Sequence, residues 1–246
     1  MNYLNDVLLG VIEGITEFLP ISSTGHLLLA EHWLGARSDT YNIVIQAGAI
    51  LAVTLIYWRR IMDLLLHWRV PENRDYLIKL TVAFLITAIL GLIVKKLGFE
   101  LPTTIQPVAW ALVIGGVWML VAEHFAEKLP DNAQITLRVA IAVGLAQVVA
   151  GVFPGTSRSA ATIFVAMLLG TSNRAAATEF AFLVGIPTMY AASGYALLKQ
   201  ASHGTVEGDW TSLAIAFVVS TLTAFAIYRI AFGGLLLALT AAGLIG

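Results

Sequence analysis

Apolar runs long enough to cross a bilayer follow one another along almost the whole chain, and this pattern leaves few folds open. Clean runs cover about 41–58, 76–94, 105–125 and 211–228. A fifth, about 177–198, carries only Glu179 as a charge, and a sixth, 230–246, is short but continuous. A helix rises about 1.5 Å per residue, so roughly 20 such residues span a hydrocarbon core about 30 Å thick. Only 12% of the 246 residues are charged, against roughly 25% in soluble domains. The expectation is an all-α polytopic membrane protein with six full spans in a single integral membrane domain.

Other classes fall away quickly. Cysteine is absent, which removes disulfides, thiolate chemistry and Cys-ligated metals. The net charge is −1 and no basic tract offers a surface to nucleic acid. The stretch "MNYLNDVLLG" lacks a basic n-region and a small-residue cleavage site, so it is not read as a cleaved signal peptide.

Two further regions are helical in pattern but broken, 4–34 at Pro20 and 134–170 at Pro154. Each half is about 15 residues, too short to cross. Both therefore read as re-entrant helix–turn–helix hairpins, tolerated at that depth only where buried in protein or beside a wet cavity. A shift of 134 superimposes Gly10 on Gly144, Pro20 on Pro154 and Ser23 on Ser157. This points to a duplication, about 1–125 and 130–246, each repeat a hairpin plus three spans. An odd number of crossings inverts the second repeat relative to the first. Arg59, Arg60, Arg69 and Arg74 share one connection, which the positive-inside rule assigns to the cytoplasm. That puts "ASHGTVEGDW" and both termini outside, with Lys95 and Lys96 counting against it.

The chemistry-bearing residues sit at the two breaks. Glu13 and Glu17 are four apart and share a helix face, where like charges repel and burial is costly. A cation, a shared proton or water must offset that. A hard cation such as Mg²⁺ takes one or two carboxylates plus phosphate oxygens. After Pro20, Ser22 can cap a half-helix whose first N–H groups, at Ser23, Thr24 and Gly25, favour an anion. The second break, "PGTSRSAAT", turns at Pro154 and Gly155. It offers hydroxyls from Thr156, Ser157, Ser159 and Thr162 and the planar fork of Arg158. Facing one another, these groups describe a phosphate or pyrophosphate site. His26 lies within a turn of Ser23 and can serve there as base or nucleophile. The blander reading is that Thr16, Ser22, Thr156 and Thr162 bond the i−4 carbonyl or a neighbouring helix. Similarly, Glu179 can be a helix–helix link. His32, His67, His124 and His203 read as interfacial.

These motifs carry a resemblance. "EGITEFLPISSTGH" at 13–26 and "PGTSRSAAT" at 154–162 resemble the two signature regions of the bacterial undecaprenyl pyrophosphate phosphatases of the bacitracin-resistance type. "VIQAGAILAV" at 44–53 and "EFAFLVGIP" at 179–187 are similar to that family too. The resemblance implies hydrolysis of undecaprenyl pyrophosphate to undecaprenyl phosphate and inorganic phosphate, recycling the cell-wall lipid carrier. It also implies a divalent cation (Mg²⁺ or Ca²⁺), bacitracin resistance, and a multi-pass protein of the bacterial cytoplasmic membrane with its site open to the periplasm. By position, Glu13 and Glu17 match the metal-binding or acid–base pair, Ser23 the hydroxyl usually proposed as nucleophile, and His26 the base or alternative nucleophile. Ser157, Arg158, Ser159 and Thr162 match the phosphate-binding segment. Tyr41-Asn42 stands where Phe-Glu is expected, and Ala160 replaces a common glycine. The prenyl tail is expected in a lateral apolar groove. A transporter of prenyl phosphate lipids is the rival reading, because opposed hairpins also suit alternating access. A homodimer is allowed by the sequence.

Overall fold

The computed structural model describes residues 3–98, 105–202 and 210–241, and every regular element among them is an α-helix. The first break separates α1 (Tyr3–Thr16) from α2 (Ser23–Leu34). Then come α3 (Asp39–Ile56), a short α4 (Trp58–Leu66), α5 (Pro71–Lys96) and α6 (Ile105–Ala126). The second break separates α7 (Leu137–Val152) from α8 (Arg158–Leu168), and α9 (Arg174–Ser202) and α10 (Trp210–Ala241) complete the order. Both expected hairpins are present, with their breaks at the expected prolines.

The helix starts follow local chemistry. Ser38 accepts a hydrogen bond from Tyr41 N at 3.2 Å and caps α3, and Thr136 accepts one from Val139 N at 3.3 Å and caps α7. Pro71 opens α5, where its missing N–H costs nothing.

Among the described residues five helices are long and apolar enough to cross a membrane: α3, α5, α6, α9 and the first part of α10. The expectation of separate spans over 211–228 and 230–246 is corrected, because residues 210–241 form one helix. Arg229 is the only charge between the two runs, and arginine propagates a helix well. The loop segment 203–209, expected outside with Glu207 and Asp209, and His203 with it, lie outside the described residues. The polar connection after α3 held a second surprise, α4. Its Leu64 is buried with Ile50, Val53, Leu183 and Ile186, while Trp58, Leu65 and Leu66 stay exposed. Arg60 donates to Glu179 at 3.0 Å and lies over the Tyr76 ring, holding this short helix against α9 and α5.

Each hairpin has its own core. Leu9, Leu27, Tyr41, Ile45 and Ala216 pack around the first. Ala83, Val139, Ala140, Val143, Ala166, Met167, Phe180 and Val184 pack around the second. The hairpins are also seated alike, α1 on α10 and α7 on α5. A Cβ on Gly10 would sit 2.7 Å from Ala216 O, and one on Gly144 2.8 Å from Ala83 O. Small residues at such contacts let backbones approach where dispersion, not water exclusion, drives packing.

Gly10→Ala and Gly144→Ala force backbone against backbone and should each cost about 1–3 kcal/mol. Gly91→Ala meets nothing within 4 Å and should stabilise α5 by up to about 1 kcal/mol through helix propensity. Thermal unfolding in detergent checks the contrast, and equal effects at all three positions would refute it.

Candidate functional site

The two breaks meet. Glu17 follows the end of α1, and its carboxylate receives the Arg158 Nη2 fork at Oε1 and the Ser23 hydroxyl at Oε2, the latter at 2.5 Å. Arg158 is the first residue of α8. Its Nη1 also reaches Gly185 O in α9 at 3.5 Å. A second tie joins the tips, Ser159 Oγ donating to Leu19 O at 3.3 Å. Residues 141 apart in sequence are thus one polar cluster.

Glu13 lies one turn below Glu17 on α1 and is fully buried. Neither of its carboxylate oxygens has a hydrogen-bond partner. A buried carboxylate left so is costly unless a proton or a cation offsets its charge. Among the described residues no three His, Cys, Asp or Glu side chains gather as a protein-only metal site.

Ser22 caps α2, accepting from Gly25 N at 3.4 Å. It does so with φ 66°, ψ 93°, a conformation disfavoured for any side-chain-bearing residue and worth roughly 1–3 kcal/mol of strain. Its carbonyl is turned to His26, whose Nδ1 lies 2.8 Å away. A carbonyl only accepts, so Nδ1 carries the proton and a neutral His26 keeps its lone pair on Nε2. His26 is half-buried and lines a groove of about 350 Å³ beside Thr156 and Ser157.

The second tip is built similarly. Ser157 caps α8, its Oγ accepting from Ala160 N at 3.3 Å, and it lies 3.1 Å from Ser159 Oγ. The first-turn N–H groups of α2 and α8 have no intrahelical acceptor, which makes both starts favourable to an anion. Gly155 is required at φ 103°, and a Cβ there would meet Val108 O at 2.5 Å.

The structure brings together Glu13, Glu17, Ser22, Ser23, His26, Ser157, Arg158 and Ser159, all drawn from the two breaks. The other expected residues make further contacts. Thr162 is buried and donates to Arg158 O at 2.8 Å and Ser159 O at 3.2 Å, the bland reading of that hydroxyl. Thr16 likewise bonds Ile12 O at 2.7 Å. A Cβ added at Gly25 would lie 3.4 Å from Leu112 and Val108 of α6, and Thr156 N donates to Phe153 O at 3.0 Å. Thr24 is half-buried in the first turn of α2. Glu179 joins Arg60 and Tyr76 instead of the tips. Tyr41 donates to buried Asp6 at 3.0 Å, a cluster completed by Arg37. His32, His67 and His124 are exposed, as interfacial residues should be. Sequence reading missed Gly185, over which Arg158 lies at 3.0 Å from an added Cβ. It also missed the α6 face that covers both tips. The only signal for Gly185 was a small residue within "LVGIP".

If the tips are coupled through Glu17 and Arg158, Glu17→Ala and Arg158→Ala should each lower stability. The double variant should lose less than the sum, by about 0.5–3 kcal/mol. Additive losses in a thermal double-mutant cycle would show that the pair is incidental.

The comparisons agree with one another. The family model for the bacitracin resistance protein BacA matches residues 6–235. A Rhizobium etli protein named undecaprenyl-diphosphatase is 69% identical over 264 residues, covering 100% of both chains. One of the same name from Xanthomonas euvesicatoria is 63% identical over 229 residues, 92% of this chain and 86% of the relative.

Proposed function

We propose that this chain, which belongs to the bacitracin resistance protein BacA family, is an undecaprenyl-diphosphatase. It releases inorganic phosphate from undecaprenyl pyrophosphate, regenerates undecaprenyl phosphate for cell-wall synthesis, and confers bacitracin resistance. One observation carries the assignment to this site: the Ser23 hydroxyl is held on Glu17, which is itself clamped by Arg158 from the other hairpin. A nucleophile bonded to a base and facing a phosphate-matched cation is a reaction centre. A carrier needs no such contact.

The chemistry proceeds in two steps. The terminal phosphoryl group sits between the tips, its oxygens on Arg158 and the N-termini of α2 and α8. Ser23 Oγ attacks phosphorus as its proton passes to Glu17, the bond to the bridging oxygen breaks, and undecaprenyl phosphate leaves. Water then hydrolyses the phosphoserine, its proton taken by Nε2 of His26 while Glu17 returns its proton to the departing Ser23 oxygen, and inorganic phosphate is released. The partnerless oxygens of Glu13 suit a divalent cation, Mg²⁺ or Ca²⁺. Glu13 and Glu17 would hold it, and it supplies positive charge to the phosphoryl oxygens.

The purified protein in detergent, where transport is meaningless, should release phosphate from farnesyl pyrophosphate and stop when chelator is added. Arg158→Ala and His26→Ala should lower kcat about a hundredfold or more. Release left intact by both would remove the reaction from this site. Label trapped from the terminal phosphate should map to Ser23, and label on His26 would replace Ser23 as the nucleophile.

Three crossings, α3, α5 and α6, separate the hairpins. The odd number makes them enter from opposite faces, the arrangement of an inverted repeat over about 1–125 and 130–246. The matched seating of α1 on α10 and α7 on α5 supports that reading. The arginines of α4, of the turn after it and of the start of α5 (Arg59, Arg60, Arg69 and Arg74) orient the chain in the bacterial cytoplasmic membrane with this region inside, the first hairpin entering from the periplasm, and the site open to that side. Both tips come from one chain, so a homodimer is not needed to complete the site. The chain has no cysteine, which allows a direct check. A membrane-impermeant maleimide on intact cells stripped of the outer membrane should label Trp33→Cys and spare Trp68→Cys, both exposed positions. The opposite pattern inverts the orientation.

A further inference from the structure

The face of α6 that covers the hairpin tips changes character along its length. Val108 and Ala111 close on Gly155, and Val108 and Leu112 close on Gly25, so this end of the helix is in van der Waals contact with both tips. One turn further on the same face comes Gly115-Gly116, and an added Cβ at either would meet nothing within 4 Å. The space left open is the groove of about 350 Å³. Its inner end is His26, Thr156 and Ser157, and its opposite wall is Ala160 and Ala161 of α8. Trp118 stands edge-on to Phe164 at 5.9 Å and props α6 away from α8 at the far end. Two adjacent glycines cost a lipid-embedded helix stability, about 1 kcal/mol each relative to alanine. Nothing packs against them to repay that cost through close helix contact.

From this we infer that Gly115 and Gly116 form the seat for the first isoprene units of the substrate, next to the pyrophosphate. The inference rests on the phosphatase reading and extends it from the head group to the lipid. Continuity decides the occupant: the groove is lined by apolar and small side chains and runs directly into the groups that hold phosphate. Only an amphiphile with its anion at the tips and its hydrocarbon along α6 fits both ends. The volume is at the small end for ligand pockets, roughly 300–1,000 Å³, so it receives the start of the chain while the remainder lies in the bilayer. Bare backbone on α6 and methyl side chains on α8 give the flat, methyl-branched chain room that a larger residue would fill. The glycine pair is therefore a specificity determinant and not part of the reacting machinery.

The test separates KM from kcat for phosphate release from farnesyl pyrophosphate in detergent. Gly115→Leu and Gly116→Leu should raise KM roughly tenfold or more, with kcat at saturation close to wild type. Gly115→Ala and Gly116→Ala should raise KM by less while leaving the unfolding temperature equal or higher, an outcome that a purely structural glycine would not produce. The alanine variants carry the test if the leucine variants fail to fold. Gly151→Leu, in open space on α7, should leave KM unchanged. Unchanged KM in folded Gly115 and Gly116 variants overturns the seat alone, and so does a KM rise of equal size in Gly151→Leu. Absence of phosphate release by the wild-type protein overturns the phosphatase reading and this inference with it.

Discussion

The ion pair between Glu17 and Arg158 is the contact on which the arrangement of this protein turns. Neither α1–α2 nor α7–α8 is among the helices long and apolar enough to cross a bilayer, and each breaks at a charged tip. Left apart, the tips would place an unpaired carboxylate and an unpaired guanidinium in a medium that solvates neither. Joined, each charge satisfies the other, and Ser159 caps the Leu19 carbonyl of the opposite tip. Buried pairs seldom add net stability over an apolar contact, but losing one partner is severe. The pair therefore specifies which surfaces meet more than it strengthens their meeting.

The rest of the fold serves that meeting. α1 and α7 are each pressed against a long helix through backbone-close contacts at Gly10 and Gly144, fixing the depth of each hairpin. α3 and α9 pack between them, and Gly185 of α9 leaves the space in which Arg158 lies. α6 then closes over both tips at Val108. Among the described residues Asp6, Glu13, Glu31, Asn42, Gln147 and Ser220 keep a buried side-chain oxygen without a hydrogen-bond partner, and Glu13 alone of them does so with both carboxylate oxygens. The strained Ser22, whose carbonyl orients His26, belongs to the same economy: strain is tolerated where the surroundings fix it and where it aims a reactive group.

Much of this was legible in the chain. Prolines inside helical patterns too short to span announced both hairpins, and serines just after them announced the helix starts. Charges in oil announced the site, because such residues have few other reasons to be there. What escaped were features without a local signal. α4 reads as a polar connection because its apolar face is only a few residues long, and Leu64 finds its core in α3 and α9. The apparent boundary at Arg229 dissolved because a lone charge does not stop a helix. That Thr162 donates its hydroxyl to the Arg158 carbonyl is likewise not written in its residue type.

The sequence by itself determined the membrane class, the two broken helices and the residue types of a phosphate site, since length, proline geometry and the cost of buried charge act locally. It did not determine who partners whom. That Arg158 answers Glu17 across 141 residues, that Ser23 is held by Glu17 while His26 turns to Ser22, and that a glycine pair on α6 opens a groove beside them were decided only in the folded chain. The reason is physical: pairing in a low-dielectric interior depends on distances between elements, and those are set by how whole helices pack.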